Sequence, residues 1–382
     1  MSSIINASTR IIQSADNSGT LEFQGNGTSG IYVNSSGMYV KSVTTTQRTA
    51  LTGTVGMMVY DTTANALYIY TGSGSTGWQA VATSAVTFNF RAIFGYGAGT
   101  GFSPISLTNL VSSTGVVATD TTGVGTARQG PAAAGYGNDK GIFIFGKNYA
   151  NTTTNITNLV SNAGVVATDV SGIGTARTNH AAAGYGTDKA ISAFGYTTSA
   201  ADSVTSLSNL ISNAGVVASD TTGVGTARAT LGAAGYGTDK AIFGYGQDSA
   251  SVSSSLTNLV SNTGVVAANT TGVGTARPYL AAATYGTDKA IFGFGAPSAN
   301  TNVTNLVSNT GVVATDSVGV GTARAGLSAT GFGSSGQAIF GYGLTSVLVS
   351  MTNIVSNTGV VATDTTGVGT ARWLAGACTY GS

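Results

Sequence analysis

Along residues 88–382 the apolar positions fall in short runs, rich in aromatic and β-branched residues and closed by glycine. One run reads RAIFGYG from Arg91 to Gly97, and related strings recur at Gly141–Gly146, Ala190–Tyr196, Ala241–Gly246, Ala290–Gly295 and Ala338–Gly343. Such runs predict strands. Alternation in the fourth copy puts Ile242 and Gly244 on one side and Phe243 and Tyr245 on the other. Both sides are apolar, so the strand is expected between two layers. LTNLVSN (Leu256–Asn262) predicts a second strand and GVVATD (Gly359–Asp364) a third, with a hairpin signal such as Asn-Thr-Gly between such runs. An Ala-rich fourth strand, such as Ala233–Gly237, leads through Thr-Asp-Lys into the next aromatic run. No helical period appears.

The strands repeat as a block. GVGTAR or GIGTAR ends at Arg128, Arg177, Arg228, Arg277, Arg324 and Arg372, at intervals of 49, 51, 49, 47 and 48 residues. A fixed period of this size marks a repeat architecture in which each unit packs on its neighbours. Four antiparallel strands per period predict an all-β fold, a six-bladed β-propeller with four-stranded blades. A β-solenoid, whose rungs need fewer residues and fewer tight hairpins, is the alternative. The repeat region begins inside a unit, at the first aromatic run, and stops inside one, at GACTYGS (Gly376–Ser382). Pairing these two ends completes a sixth blade and removes two exposed edges.

Thr226–Gly246, TARATLGAAGYGTDKAIFGYG, resembles the first half of a kelch unit: an Arg-led strand, a strand ending in a glycine pair, then a hairpin. The glycine pair is here Gly-Tyr-Gly or Gly-Phe-Gly, and the Tyr and Trp of the kelch second half are absent. This resemblance extends over residues 88–382 and implies the same propeller architecture. Residues 1–87 follow another pattern. Thr20–Ser42 alternates apolar and polar residues around Gly-Asn and Ser-Ser-Gly turns. Thr45–Ala82 is similar to a module of bacteriophage fibre and appendage proteins, through Gln47, Arg48, Leu51, Gly56, Tyr60, Asp61, Gly77 and Trp78. That resemblance implies a virion structural protein. Its N-terminal β-rich region, residues 1–87, would bind other virion proteins, and such segments are often trimeric, so a homotrimer is expected.

Composition narrows the function. Only 8% of residues are charged, against about 25% in ordinary globular chains. The net charge of +1 gives no field that favours nucleic acid or an anionic membrane. No charged-then-apolar leader opens the chain and no run of 18 apolar residues appears, so neither a secretion signal nor membrane insertion is expected. Cys378 is the only cysteine, which excludes an intrachain disulfide and suits a small buried filler. His180 is the only histidine, so a histidine-rich metal site has one possible member, and the residue is expected in a surface loop. Gly141–Asn148 imitates a phosphate loop, but Asn148 stands where a metal-binding hydroxyl belongs and the string is a repeated strand. GVGTAR lacks the last glycine of a dinucleotide fingerprint. Glu22 is the only glutamate and most aspartates recur with the repeat, so no acidic pair breaks the symmetry as a glycosidase site would. No enzyme activity, cofactor or metal is expected.

The six arginines admit two readings. Asp120, Asp169, Asp220, Asp316 and Asp364 each lie eight residues before one, with Asn269 in that place before Arg277. The favoured reading is structural: each Arg ties its own or the neighbouring blade through carboxylate and carbonyl bonds. A cationic ring capturing anions is the competing one. Asp-Lys pairs such as Asp239 and Lys240 read as solvated turns.

The copies differ in two zones: the triplet after each Arg (QGP, TNH, ATL, PYL, AGL, WLA) and the loop after each aromatic run. Antiparallel strands place both zones on one face, and loops on a rigid scaffold are where recognition resides. Phe102, Tyr149, Asn179, His180, Tyr279 and Trp373 are the candidate ligand-binding residues, the aromatic ones able to stack on sugars or anchor a protein. The expected function is a phage virion structural protein, a tail or head fibre on the particle surface, presenting the propeller to a host glycan or protein. A capsid or tail decoration protein is the alternative, and a glycan-degrading enzyme the third.

Overall fold

The computed structural model describes residues 10–13, 21–25, 28–34, 37–72, 77–81 and 90–381. The expected turns at Asn26 and at Ser35–Ser36 lie outside the described residues. The chain divides into two compact units, Met1–Val86 and Thr87–Ser382.

The first unit holds two four-stranded sheets. Arg10–Gln13, Leu21–Gly25, Thr28–Asn34 and Gly37–Val40 form an antiparallel meander. Ser42–Val43, Met58–Asp61, Ala66–Tyr70 and Trp78–Ala80 form the second sheet, its first pair parallel. Its helix, Thr45–Ala50, starts with a capping box in which Gln47 Oε1 accepts from the Thr44 backbone at 2.9 Å and Thr44 Oγ1 accepts from the Gln47 backbone. Val43, Val59, Tyr70 and Trp78 make its core. Arg48 Nε donates to Asp61 Oδ2 at 2.8 Å, and the guanidinium lies 3.7 Å from the centre of the Tyr68 ring. Burial opposes ionisation of Asp61, but the bonds from Arg48, Thr45 and the Thr63 and Ala64 amides outweigh it and hold the pKa at about 2. The motif residues Gln47, Arg48, Asp61 and Trp78 are thus a cap, an ion pair and a core ring.

The second unit is built of six small antiparallel sheets. Each has an inner Ala-rich strand, a middle aromatic strand and an outer strand, for example Gly232–Tyr236, Lys240–Gly244 and Thr257–Val260. Both ends of the unit share one sheet, since Gly376–Tyr380 pairs with Arg91–Gly95, which pairs with Thr108–Val111. The fold is all-β. The expected third strand differs from the sequence reading: the segment after the Asn-Thr-Gly turn meets the outer strand only at single bridges, Val260↔Val266 and Thr257↔Thr270 in one copy. The two bridges are out of register by one residue, so no ladder runs between them. The Asn258 side chain fills the gap, its Nδ2 donating to the Ala267 carbonyl at 2.9 Å. The sheet that contains Ala132–Tyr136 has five strands: its outer strand Thr153–Val160 gains a two-residue partner, Val170–Ser171, and Arg128–Gln129 pairs with its middle strand.

Adjacent sheets are joined by backbone bonds that return to their start. The amides of Gly97, Gly146, Gly195, Gly246, Gly295 and Gly343 donate to the carbonyls of Arg128, Arg177, Arg228, Arg277, Arg324 and Arg372, each link leading to the next sheet and the last to the first. At the other end of the inner strands a second set runs from Gly137 to Asp188 (2.7 Å) and ends with Gly381 to Asp139 (2.8 Å).

Side-chain alternation in the middle strand also differs from expectation. Tyr245 sits just past the strand at φ 65°, and Tyr96, Phe145, Phe194, Phe294 and Tyr342 share this left-handed step. The step turns the ring to the opposite side. Phe243 packs on Phe194 of the preceding sheet (centroids 5.4 Å apart), while Tyr245 meets Phe292 of the following one edge-on (5.0 Å). Gly244 is the seat for that phenylalanine, because a Cβ there would lie 2.8 Å from Phe292 Cζ. One sheet has Ile144 at the seat position, and the sheet after it carries Ser192 where the others have phenylalanine. Volume is exchanged across the interface, as close packing requires.

Candidate functional site

The repeated arginines are enclosed, all six with 0% exposure. Arg228 donates from Nε to the Tyr245 carbonyl (2.8 Å), from Nη1 to the Thr226 carbonyl (3.1 Å) and from Nη2 to Asn258 Oδ1 (2.6 Å). Its guanidinium carbon lies 4.5 Å from the centre of the Phe194 ring in the preceding sheet. The group therefore satisfies its donors within its own sheet and offers its face to the neighbour. Burial lowers its pKa to about 10, so it stays charged at neutral pH.

The expected pairing with the aspartate eight residues upstream is replaced by another. Asp220 accepts from the amide (3.0 Å) and hydroxyl (2.6 Å) of Thr175 and from Asn209 Nδ2 (2.9 Å). The upstream aspartate closes the preceding unit, so it meets that unit's Thr-Ala-Arg. Asn269 serves Thr226 likewise: Oδ1 accepts from the amide at 3.1 Å, and Nδ2 donates to the hydroxyl at 2.8 Å. Among the described residues only Arg177–Asp220 (3.5 Å) and Arg324–Asp364 (3.8 Å) bring a repeated arginine near a carboxylate, in each case the downstream one.

The three residues after each arginine take three directions. The first pairs outward with the residue following the aromatic run: Gln129 with Lys147, Thr178 with Tyr196, Ala229 with Gln247, Ala325 with Leu344, Trp373 with Ala98. The second joins a ring. Asn179 donates its amide to Gly130 (2.9 Å), Thr230 to Asn179 (2.8 Å), Tyr279 to Thr230 (2.9 Å), Gly326 to Tyr279 (2.8 Å), Leu374 to Gly326 (2.7 Å) and Gly130 to Leu374 (2.9 Å). All six have positive φ, including the β-branched Thr230 at 57°, a conformation that such a residue holds only where the surroundings enforce it. The third residue turns inward, where His180, Leu231, Leu280 and Leu327 line a cavity of about 110 Å³ under the ring.

Above the ring lies a larger cavity of about 360 Å³, bordered by Gln129, Lys147, Asn179, Tyr196, Gln247, Tyr279 and Trp373. It falls within the roughly 300–1,000 Å³ of small-ligand sites. The Trp373 indole lies over Gly326, where a Cβ would come within 2.8 Å of it. Tyr279 stacks on the indole (6.0 Å, 26°) and Phe102 meets its edge (5.5 Å). Opposite, Gln247 Nε2 donates to Tyr196 Oη at 2.6 Å. Gln129 Oε1, Asn179 Oδ1 and Trp373 Nε1 are buried with no hydrogen-bond partner.

Of the six residues singled out in the sequence, Asn179, Tyr279 and Trp373 border this cavity and Phe102, about half exposed, buttresses it. Tyr149, 81% exposed, stands at a hairpin turn. His180 is a correction: it is not on a surface loop but 6% exposed, its ring 5.6 Å from that of Phe145. It occupies the triplet position that holds leucine in three other copies, and that position faces inward. Burial, with the charges of Arg177 and Arg128, holds its pKa well below the usual histidine value against the opposing pull of the Ile144 backbone, and at most one ring nitrogen is partnered. Sequence reasoning did not single out Gln129, Lys147, Tyr196 or Gln247. Three of them lie in the variable zones, but their pairing across the two zones needs the register. Cys378 is buried, which pushes its thiol pKa up to about 12.

Residues 11–91 match the family model of a phage tail-like trimerisation region. No curated protein matches the chain. The family match covers most of the first unit and runs on to Arg91, and it points to a phage tail-related structural protein associated with the virion. Among the described residues no group of three or more His, Cys, Asp or Glu converges as a metal site, and no helix is long and apolar enough to cross a membrane.

Proposed function

We propose that the chain is a non-enzymatic phage appendage protein whose first unit forms a homotrimer and attaches to other virion proteins. In this reading residues 88–382 form a kelch-like six-bladed β-propeller whose cavity-bearing face recognises a glycan or protein on the host surface. The closed chain of six amide-to-carbonyl bonds, with a cavity bordered by aromatic and polar side chains above it, carries the reading. Rigid backbone beneath variable side chains is what a recognition surface requires. Two experiments test it. Virions carrying a chain without residues 1–87 are expected to lack the protein, and stoichiometric incorporation would refute attachment. Tyr279→Ala and Trp373→Ala are expected to reduce adsorption to cells at least tenfold, whereas unchanged adsorption would favour a decoration protein.

A further inference from the structure

The ligand chemistry can be taken one step further, resting on that recognition reading. We propose that the cavity above the ring binds one acidic sugar unit of a host glycan, a pyranose carrying a carboxylate or phosphate.

The two sides of the cavity differ in kind. One side is the flat wall of Trp373 and Tyr279, suited to the apolar face of a pyranose. The other carries Gln129, Lys147, Asn179 and Gln247. The side-chain amides of Gln129, Asn179 and Gln247 bring donors and acceptors for sugar hydroxyls to the cavity border. The anionic preference comes from Lys147. Its register partner across the ribbon is Gln129, which sets the two side chains on one face. No acidic residue borders the cavity, and among the described residues no carboxylate pairs with Lys147. Desolvation alone lowers its pKa, as for a cation partly withdrawn from water without a counter-charge.

Titration calorimetry on the full chain tests this with four probes: trigalacturonic acid, phosphorylated maltotriose, maltotriose and hexa-aspartate. One of the two acidic sugars is expected to bind at least tenfold tighter than maltotriose and hexa-aspartate, and which one does identifies carboxylate or phosphate. Lys147→Gln is expected to abolish that preference, with an unaltered melting temperature, and Trp373→Phe to retain it. Equal binding of acidic and neutral sugars, tightest binding of the peptide, no binding of any probe, or a preference that survives Lys147→Gln would each overturn the proposal. Its failure is separable from that of host recognition. Adsorption that depends on Tyr279 and Trp373 without an acidic preference removes only this inference. An acidic preference with unchanged adsorption removes only the recognition role.

Discussion

Replacing His180 with leucine tests whether the triplet positions are assigned correctly. The histidine occupies a buried leucine position with at most one ring nitrogen partnered, by the Ile144 backbone, and an unsatisfied buried polar group costs about 1–3 kcal/mol. Leucine of similar size removes that cost and restores the residue found at 231, 280 and 327. His180→Leu should therefore stabilise the second unit by about 2 kcal/mol at pH 7.5. A pH term adds to this. Burial holds the folded-state pKa well below the ordinary histidine value of 6.5, so the unfolded chain binds a proton that the folded chain refuses as pH falls below that value. The wild-type protein then loses stability progressively below that value, and the variant is spared this loss. At about 2 °C per kcal/mol for a unit of this size, calorimetry should place the variant's second-unit transition about 4 °C above wild type at pH 7.5. The gap should widen as the pH falls to 5. Losses from titrating aspartates are common to both proteins and cancel. A variant that melts at or below wild type at pH 7.5, or a gap that does not widen at pH 5, would refute the inward placement and the neutral buried state.

Two further predictions concern the interfaces between sheets. Ser192 carries a buried hydroxyl with no partner where other copies hold phenylalanine, opposite Ile144 in place of the glycine seat. Ser192→Ala should raise stability by about 1 kcal/mol. Ser192→Phe alone should lower it by about 1–3 kcal/mol through overpacking, and adding Ile144→Gly should recover most of that loss in urea melts. No recovery would mean the two positions do not share a packing site. Asn258→Ala leaves the Arg228 Nη2 donor and the Ala267 carbonyl unpaired. It should cost about 3 kcal/mol and speed amide exchange across Thr257–Val260, and a cost under 1 kcal/mol would show that water replaces the amide.

The short glycine-closed runs, the constant period and the hairpin turns are local properties, so strand type and most strand positions were readable in residues 88–382. The pairing of Gly376–Tyr380 with Arg91–Gly95 was legible too, because each end of the repeat lacks the strand the other supplies. In the first unit the motif residues could be recognised, and their separate duties became visible only when Arg48 met Asp61.

Tertiary contact decided the rest. The left-handed step at Tyr245 reverses its ring because the next sheet offers Phe292 and Arg277, a choice that alternation along one strand cannot foresee. The aspartate eight residues before each arginine serves the unit it ends, since spatial closure ignores spacing along the chain. His180 read as a loop residue because a triplet of mixed composition has no period. Only the ring of backbone bonds assigns its three residues to outward, ring and inward positions. Repetition along the chain specified the scaffold. Its cavity arises where six different triplets converge, and that convergence exists only in three dimensions.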